Sequence, residues 1–138
     1  MKSIKPILLV EDDEVDAMVV KRALAENKVL NPLDVCTDGE AALARLRDPA
    51  KSKPCIILLD LNMPRMSGIE FLHEAKADAR LRHIPVVVLT SSSEPRDRLA
   101  TYDLGIAGYM VKPVDYRHYV SMVSIIDRYW SESELPPN

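Results

Sequence analysis

Chemistry-capable residues recur just after short apolar runs in this chain. Glu11, Asp12 and Asp13 follow residues 7–10, and Asp60, Leu61 and Asn62 follow 55–59. Thr90, Ser91 and Ser92 follow 86–89, while Lys112 and Pro113 follow 109–111. Singly these are loop acids, helix caps and a surface lysine. Together they are carboxylates, hydroxyls and one ammonium that a fold could bring to one place. Clustered carboxylates raise one another's pKa unless a cation joins them, and oxygen-only ligands favour a hard ion such as Mg²⁺. Mg²⁺ keeps several waters and takes one or two protein carboxylates, which leaves Asp60 free to act as a nucleophile. A carboxylate attacking phosphorus gives an acyl phosphate, and the transferred group spreads its charge over its equatorial oxygens. The cation would take one such oxygen, Lys112 a second, and the Thr90 hydroxyl with backbone amides the third.

The elements that must position these residues are legible in the hydropathy pattern. Residues 7–10, 55–59, 86–89 and, more weakly, 33–36 and 109–111 are short, β-branched-rich runs without alternation, as expected of strands buried on both faces of a parallel sheet. Segments of helical period lie between them. Val15, Met18 and Val19 mark the first, and Ala41, Ala42, Leu43 and Leu46 the second, opened by a Thr37-x-x-Glu40 capping-box pattern. The third follows Gly68, the fourth follows Pro95, and the fifth carries Tyr116, Val120, Val123, Ile126 and Trp130. Five strands alternating with five helices predict an α/β three-layer sandwich around a doubly wound parallel sheet. In such a sheet ligands bind beyond the carboxyl ends of the strands, where the reactive residues stand.

With 138 residues the chain is long enough for one domain, and 47% hydrophobic with 28% charged side chains is a globular composition. A net charge of −3 disfavours nucleic-acid or anionic-membrane partners. No apolar run approaches the 18 or so residues of a membrane span, and the start has no signal-peptide pattern, so a cytoplasmic location is expected. Cys36 and Cys55 lack CxxC spacing and are read as reduced core residues; His73, His83 and His118 show no ligand spacing and are read as surface residues. The terminal SESELPPN has two prolines and no period, so residues 131–138 are expected to form an extension beyond a domain of residues 1–130.

The segments ILLVEDDEVD, IILLDLNMPRMSGIEFL, VVVLTSSS and GYMVKPVD, in this order, make the chain resemble a two-component response regulator receiver domain from about Lys5 to Trp130. The resemblance implies a flavodoxin-like sheet of strand order 2-1-3-4-5. It implies Asp60 as phosphoacceptor, Asp13 and Asp60 as direct Mg²⁺ ligands, Asp12 acting through water, and the Asn62 backbone carbonyl as a further ligand. Thr90 and Lys112 match the phosphoryl-binding pair, and Thr90 with Tyr109 the switch pair. A cis Lys112–Pro113 bond is also implied, while strand alternation is expected to turn Glu11 away from the metal. RYWSESELPPN is similar to the C-terminal extension of regulators paired with bacterial phytochrome histidine kinases.

Three other readings are weaker. A haloacid-dehalogenase-type phosphatase needs a second carboxylate two residues after its nucleophile, where Asn62 stands, and a late acidic pair. A flavodoxin-like flavin binder would be repelled by Glu11-Asp12-Asp13. A receiver-like scaffold that no longer accepts phosphate usually lacks one of the acidic or lysine positions, all present here. The expectation is therefore a stand-alone phosphoacceptor switch, not an enzyme in its own right, that signals through protein contacts. Tyr102, Tyr109, Tyr116, Tyr119, Tyr129 and Trp130, with Arg96, Arg98 and Arg117, enrich the fourth helix, fifth strand and fifth helix in interface-type residues. That face is expected to form a symmetric homodimer, tightened by phosphorylation, with the tail across the partner.

Overall fold

The computed structural model describes residues 4–136. Ten elements alternate along the chain: β1 (Ile7–Val10), α1 (Glu14–Glu26), β2 (Leu33–Cys36), α2 (Gly39–Arg47), β3 (Ile56–Leu59), α3 (Gly68–Ala77), β4 (Val86–Thr90), α4 (Pro95–Asp103), β5 (Gly108–Val111) and α5 (Tyr116–Glu132). All strand pairs are parallel and the order is β2-β1-β3-β4-β5. This is the flavodoxin-like order expected above. β1, β3 and β4 are buried throughout, which is why they read as unbroken apolar runs, whereas the edge strands β2 and β5 are only partly covered.

Side-chain parity splits the core into two layers. Leu8, Val10, Ile57, Leu59, Val86 and Val88 pack against α2 and α3. Ile7, Leu9, Ile56, Leu58, Val87 and Leu89 pack against α1 and α5, whose inner faces supply Val20, Ala23, Leu24, Tyr119, Met122, Val123, Ile126 and Trp130. α4 is different: Thr101 is its only buried residue. Little apolar area holds this helix down, so it is the element that can shift at least cost.

The helix starts follow local chemistry. Asp13 caps α1, Asp115 caps α5, and Ser67 with Glu70 forms a capping box on α3. The capping box expected at Thr37 is replaced by Asp38, whose carboxylate accepts from Ala41 N at 2.8 Å. α5 runs to Glu132, two residues into the segment expected to be a separate extension, and Leu135 beyond it packs on the α1/α5 layer. The last two positions of the expected tail, Pro137 and Asn138, lie outside the described residues. Cys36 is half-buried and Cys55 buried, both as free thiols, and the three histidines are exposed. The Lys112–Pro113 bond is trans, since no cis peptide occurs among the described residues. This corrects the cis expectation and matches the isomer X–Pro bonds ordinarily favour.

Candidate functional site

The site lies at the carboxyl end of the sheet, and strand parity decides what enters it. Ile7 and Leu9 on β1, Ile56 and Leu58 on β3, and Met110 on β5 all face the α1/α5 layer. Two residues beyond each stand Glu11, Asp60 and Lys112, which meet on that same side. Lys112 Nζ donates to Glu11 Oε1 at 2.6 Å and to Asp16 Oδ2 at 2.7 Å, and lies 3.5 Å from Asp60 Oδ2. Glu11 and Asp60 are buried, at 2% and 6% exposure. The expectation that alternation turns Glu11 away is therefore corrected. Alternation does operate, but the face it selects is the one from which the lysine arrives.

Glu11, Asp12 and Asp60 offer carboxylate oxygens within 4.8 Å of one another. Asp13 is placed otherwise: its Oδ1 accepts from Val15 N at 2.8 Å and Asp16 N at 3.0 Å as the α1 cap. Asn62 is exposed, its backbone N–H 3.5 Å from Asp60 Oδ1. The donor set is all oxygen and crowded with negative charge, so it fits a hard divalent cation. Electrostatics bear the marks of that crowding. Burial, reinforced by the Asp60 charge and opposed by the Lys112 hydrogen bond, pushes the Glu11 carboxyl up to about 7. For Lys112 burial works downward, but hydrogen bonds to Asp16 and Glu11 and the Asp60 charge outweigh it, leaving the ammonium more firmly protonated than usual.

The β3–α3 loop folds over Asp60 because Gly68 permits it. A Cβ there would stand 2.5 Å from the Asp60 carbonyl oxygen and 2.6 Å from Leu61 Cα, and Gly68 N–H donates to Leu61 O at 3.0 Å. Arg65, in the left-handed region at φ 63°, pairs with Asp38 at 2.7 Å and ties this loop to the start of α2.

Thr90 and Tyr109 belong to the other face of the sheet. Thr90 is fully buried in parity with Val86 and Val88, and the Tyr109 ring packs on the α2/α3 layer. Ser92 joins them: its N–H approaches Thr90 Oγ1 at 3.4 Å, and its carbonyl accepts from the Tyr109 hydroxyl at 2.8 Å. Its own hydroxyl donates to Asp97 Oδ2 at 2.6 Å in the first turn of α4. Glu11 and Ser92 stand among the strand-end residues singled out above, but the sequence does not give their partners, and Asp16 is not among those residues. Parity with Ile7 and Leu9 was the available signal for Glu11; Asp16 and Ser92 look like ordinary helix-start and loop residues.

Residues 7–124 match the family model described as response regulator receiver domain. The chain is 37% identical over 137 residues to response regulator Rcp1 of Synechocystis sp., covering 96% of this chain and 93% of that protein. Among solved structures, the Mn²⁺-bound form of Rcp1 aligns with a TM-score of 0.88 at 38% identity, covering 96% of this chain and 99% of the other. The phosphorylated cyanobacterial phytochrome response regulator RcpA aligns with a TM-score of 0.90 at 37% identity, covering 98% and 100%. A receiver fold, an acidic rim with its lysine, and a family match over most of the length agree: the chain belongs to the response regulator receiver family, the phosphoryl acceptors of two-component signalling.

Proposed function

We propose that Asp60 is the phosphoacceptor and that Mg²⁺ is the cation that serves it. The observation that carries this reading is the buried Asp60 carboxylate, 3.5 Å from the Lys112 ammonium and grouped with the carboxylates of Glu11 and Asp12. An Asp60 oxygen attacks phosphorus as the bond from phosphorus to the donor's histidine nitrogen or acyl oxygen breaks, the electron pair leaving with the donor. Asp12 and Asp60 would hold the Mg²⁺, with Glu11 beside them and the Asn62 carbonyl as a further ligand. The ion supplies charge neutralisation for the phosphoryl oxygens. Asp13, a direct ligand by the family resemblance, is better assigned to capping α1. Lys112 and the Thr90 hydroxyl bind phosphoryl oxygens. The drawn-in hydroxyl releases its contact with Ser92, and through Ser92 alters the Tyr109 hydroxyl and the first turn of α4.

The donor is a histidine kinase, and the relatives described as phytochrome response regulators favour one of the bacterial phytochrome class. The chain works in the cytoplasm through protein contacts, with a homodimer through α4, β5 and α5 as one of them. Nucleic acid and membrane are not its partners on the ground of its mild acidity. Among the described residues no helix is long and apolar enough to cross a membrane.

Purified protein mixed with acetyl phosphate and Mg²⁺ should gain one phosphoryl mass, and Asp60→Asn or excess chelator should abolish the gain. Lys112→Ala should keep its fold at a lower melting temperature, because buried Glu11 loses its ammonium partner, and respond poorly. Undiminished labelling of Asp60→Asn, or labelling in chelator, counts against the assignment.

A further inference from the structure

Asp16 has no part in the reading above, yet it holds the lysine nearly as closely as Glu11 does. Its Oδ2 lies 2.7 Å from Lys112 Nζ, against 2.6 Å for Glu11 and 3.5 Å for Asp60. An acid in the first turn of a helix ordinarily answers the helix N-terminus. In α1 that task falls to Asp13, whose carboxylate accepts from the N–H groups of Val15 and Asp16. The Asp16 side chain reaches instead to a residue 96 positions later in the chain.

We propose that Asp16 is a positioning residue that holds the Lys112 ammonium back from Asp60 while the aspartate is unmodified, and that the lysine exchanges Asp16 for a phosphoryl oxygen when Asp60 is phosphorylated. This rests on Asp60 being the acceptor. Exposure decides which carboxylate is given up. The Glu11 side chain is 2% exposed, so parting it from the lysine would leave a buried anion uncompensated. Asp16 is 39% exposed, so water can replace the ammonium. The lysine's flexible stem allows its Nζ to cross from one partner to the other without a backbone change. No proton moves: the ammonium keeps its charge and changes its anion.

A lysine that must leave Asp16 is a lysine withheld from the incoming phosphoryl group. With acetyl phosphate and Mg²⁺, labelling followed by intact mass should be roughly fivefold faster for Asp16→Asn than for wild type, the scale of one part-exposed charge contact. Asp16→Glu should return the rate toward wild type. In a Lys112→Ala background, Asp16→Asn should change the rate less than about twofold, since coupled residues act as a unit. Equal rates for wild type and Asp16→Asn overturn the exchange, and so does equal acceleration with and without Lys112, which would reduce Asp16 to a general negative charge. A wild type that takes no label defeats the Asp60 assignment and the exchange with it, whereas a labelled wild type with an indifferent Asp16→Asn defeats the exchange alone. Melting temperatures of the Asn, Glu and Lys112→Ala variants are measured alongside, so a fold defect is read separately from the rate.

Discussion

Glu11 shows how burial and charge compete at a single residue. The unfolded chain ionises it at its ordinary 4.5, while the folded protein holds the proton to about 7. Between those values the folded state binds the extra proton, so this group makes stability fall as pH rises through the window. In chelator, denaturant unfolding should show a loss of about 2 kcal/mol between pH 5 and 7.5, and Glu11→Gln should flatten the slope. The lowered carboxyls of Asp38 and Asp78 act in the opposite sense and below that range, losing their contribution as pH falls through their folded values. A slope that survives in Glu11→Gln would place its origin elsewhere. Excess divalent cation should shrink the slope in the wild type, because a bound cation favours the ionised carboxylate.

Among the elements, the β3–α3 loop and α4 do opposite work. The loop is pinned: Gly68 leaves no space for a side chain over Asp60, Arg65 pairs with Asp38, and Ser67 and Glu70 close the α3 capping box. Gly68→Ala must push its Cβ against backbone, which cannot yield as a side-chain tip can. A loss of about 2 kcal/mol is expected, the usual cost of overpacking, with slower labelling of Asp60 because its carbonyl is displaced. Unchanged stability and labelling would mean that the loop has a second arrangement. α4 is loosely held, with Thr101 alone buried and no side-chain cap at Glu94. Its first turn is tied to Ser92, which also touches the Thr90 and Tyr109 side chains. A tug on one loop residue therefore reaches a helix with little packing to resist it.

At the scale of the whole molecule, the aromatic-rich C-terminal third divides into core and surface. Tyr119 and Trp130 are buried and belong to the α1/α5 layer, whereas Leu99, Tyr102, Val111 and Tyr129 are exposed. Tyr119 therefore belongs to the core and not to an association face. A homodimer through α4, β5 and α5 would cover Leu99 and Val111. Light scattering with and without a beryllofluoride mimic should show association strengthened by the mimic, and Leu99→Asp with Val111→Asp should weaken it at unchanged melting temperature. A wild type that stays monomeric at tens of micromolar in both states, roughly the range of transient interfaces, assigns the face to another protein. Because α5 runs to Glu132 and Trp130 is core, a truncation that tests the tail must begin after Glu132.

The alternation of strands and helices can be read directly from the residue pattern. Strands buried on both faces read as near-continuous apolar runs, and the ends of β1, β3, β4 and β5 carried chemically distinctive residues. The receiver family was legible in those strand-end residues and their order along the chain. The helix caps were only partly legible: at α2 both Thr37 and Asp38 are competent, and only the backbone decides that Asp38 accepts from Ala41. What the tertiary structure alone decided is which residues share a face. The lysine meets Glu11 because both continue strands whose side chains turn toward α1 and α5, and Asp13 leaves the acidic group because α1 begins there and needs its cap. The partners of Asp16 and Ser92 became visible only in three dimensions. They lie on other elements, and nothing local to an acid in a helix's first turn, or to a serine in a loop, says what it will reach.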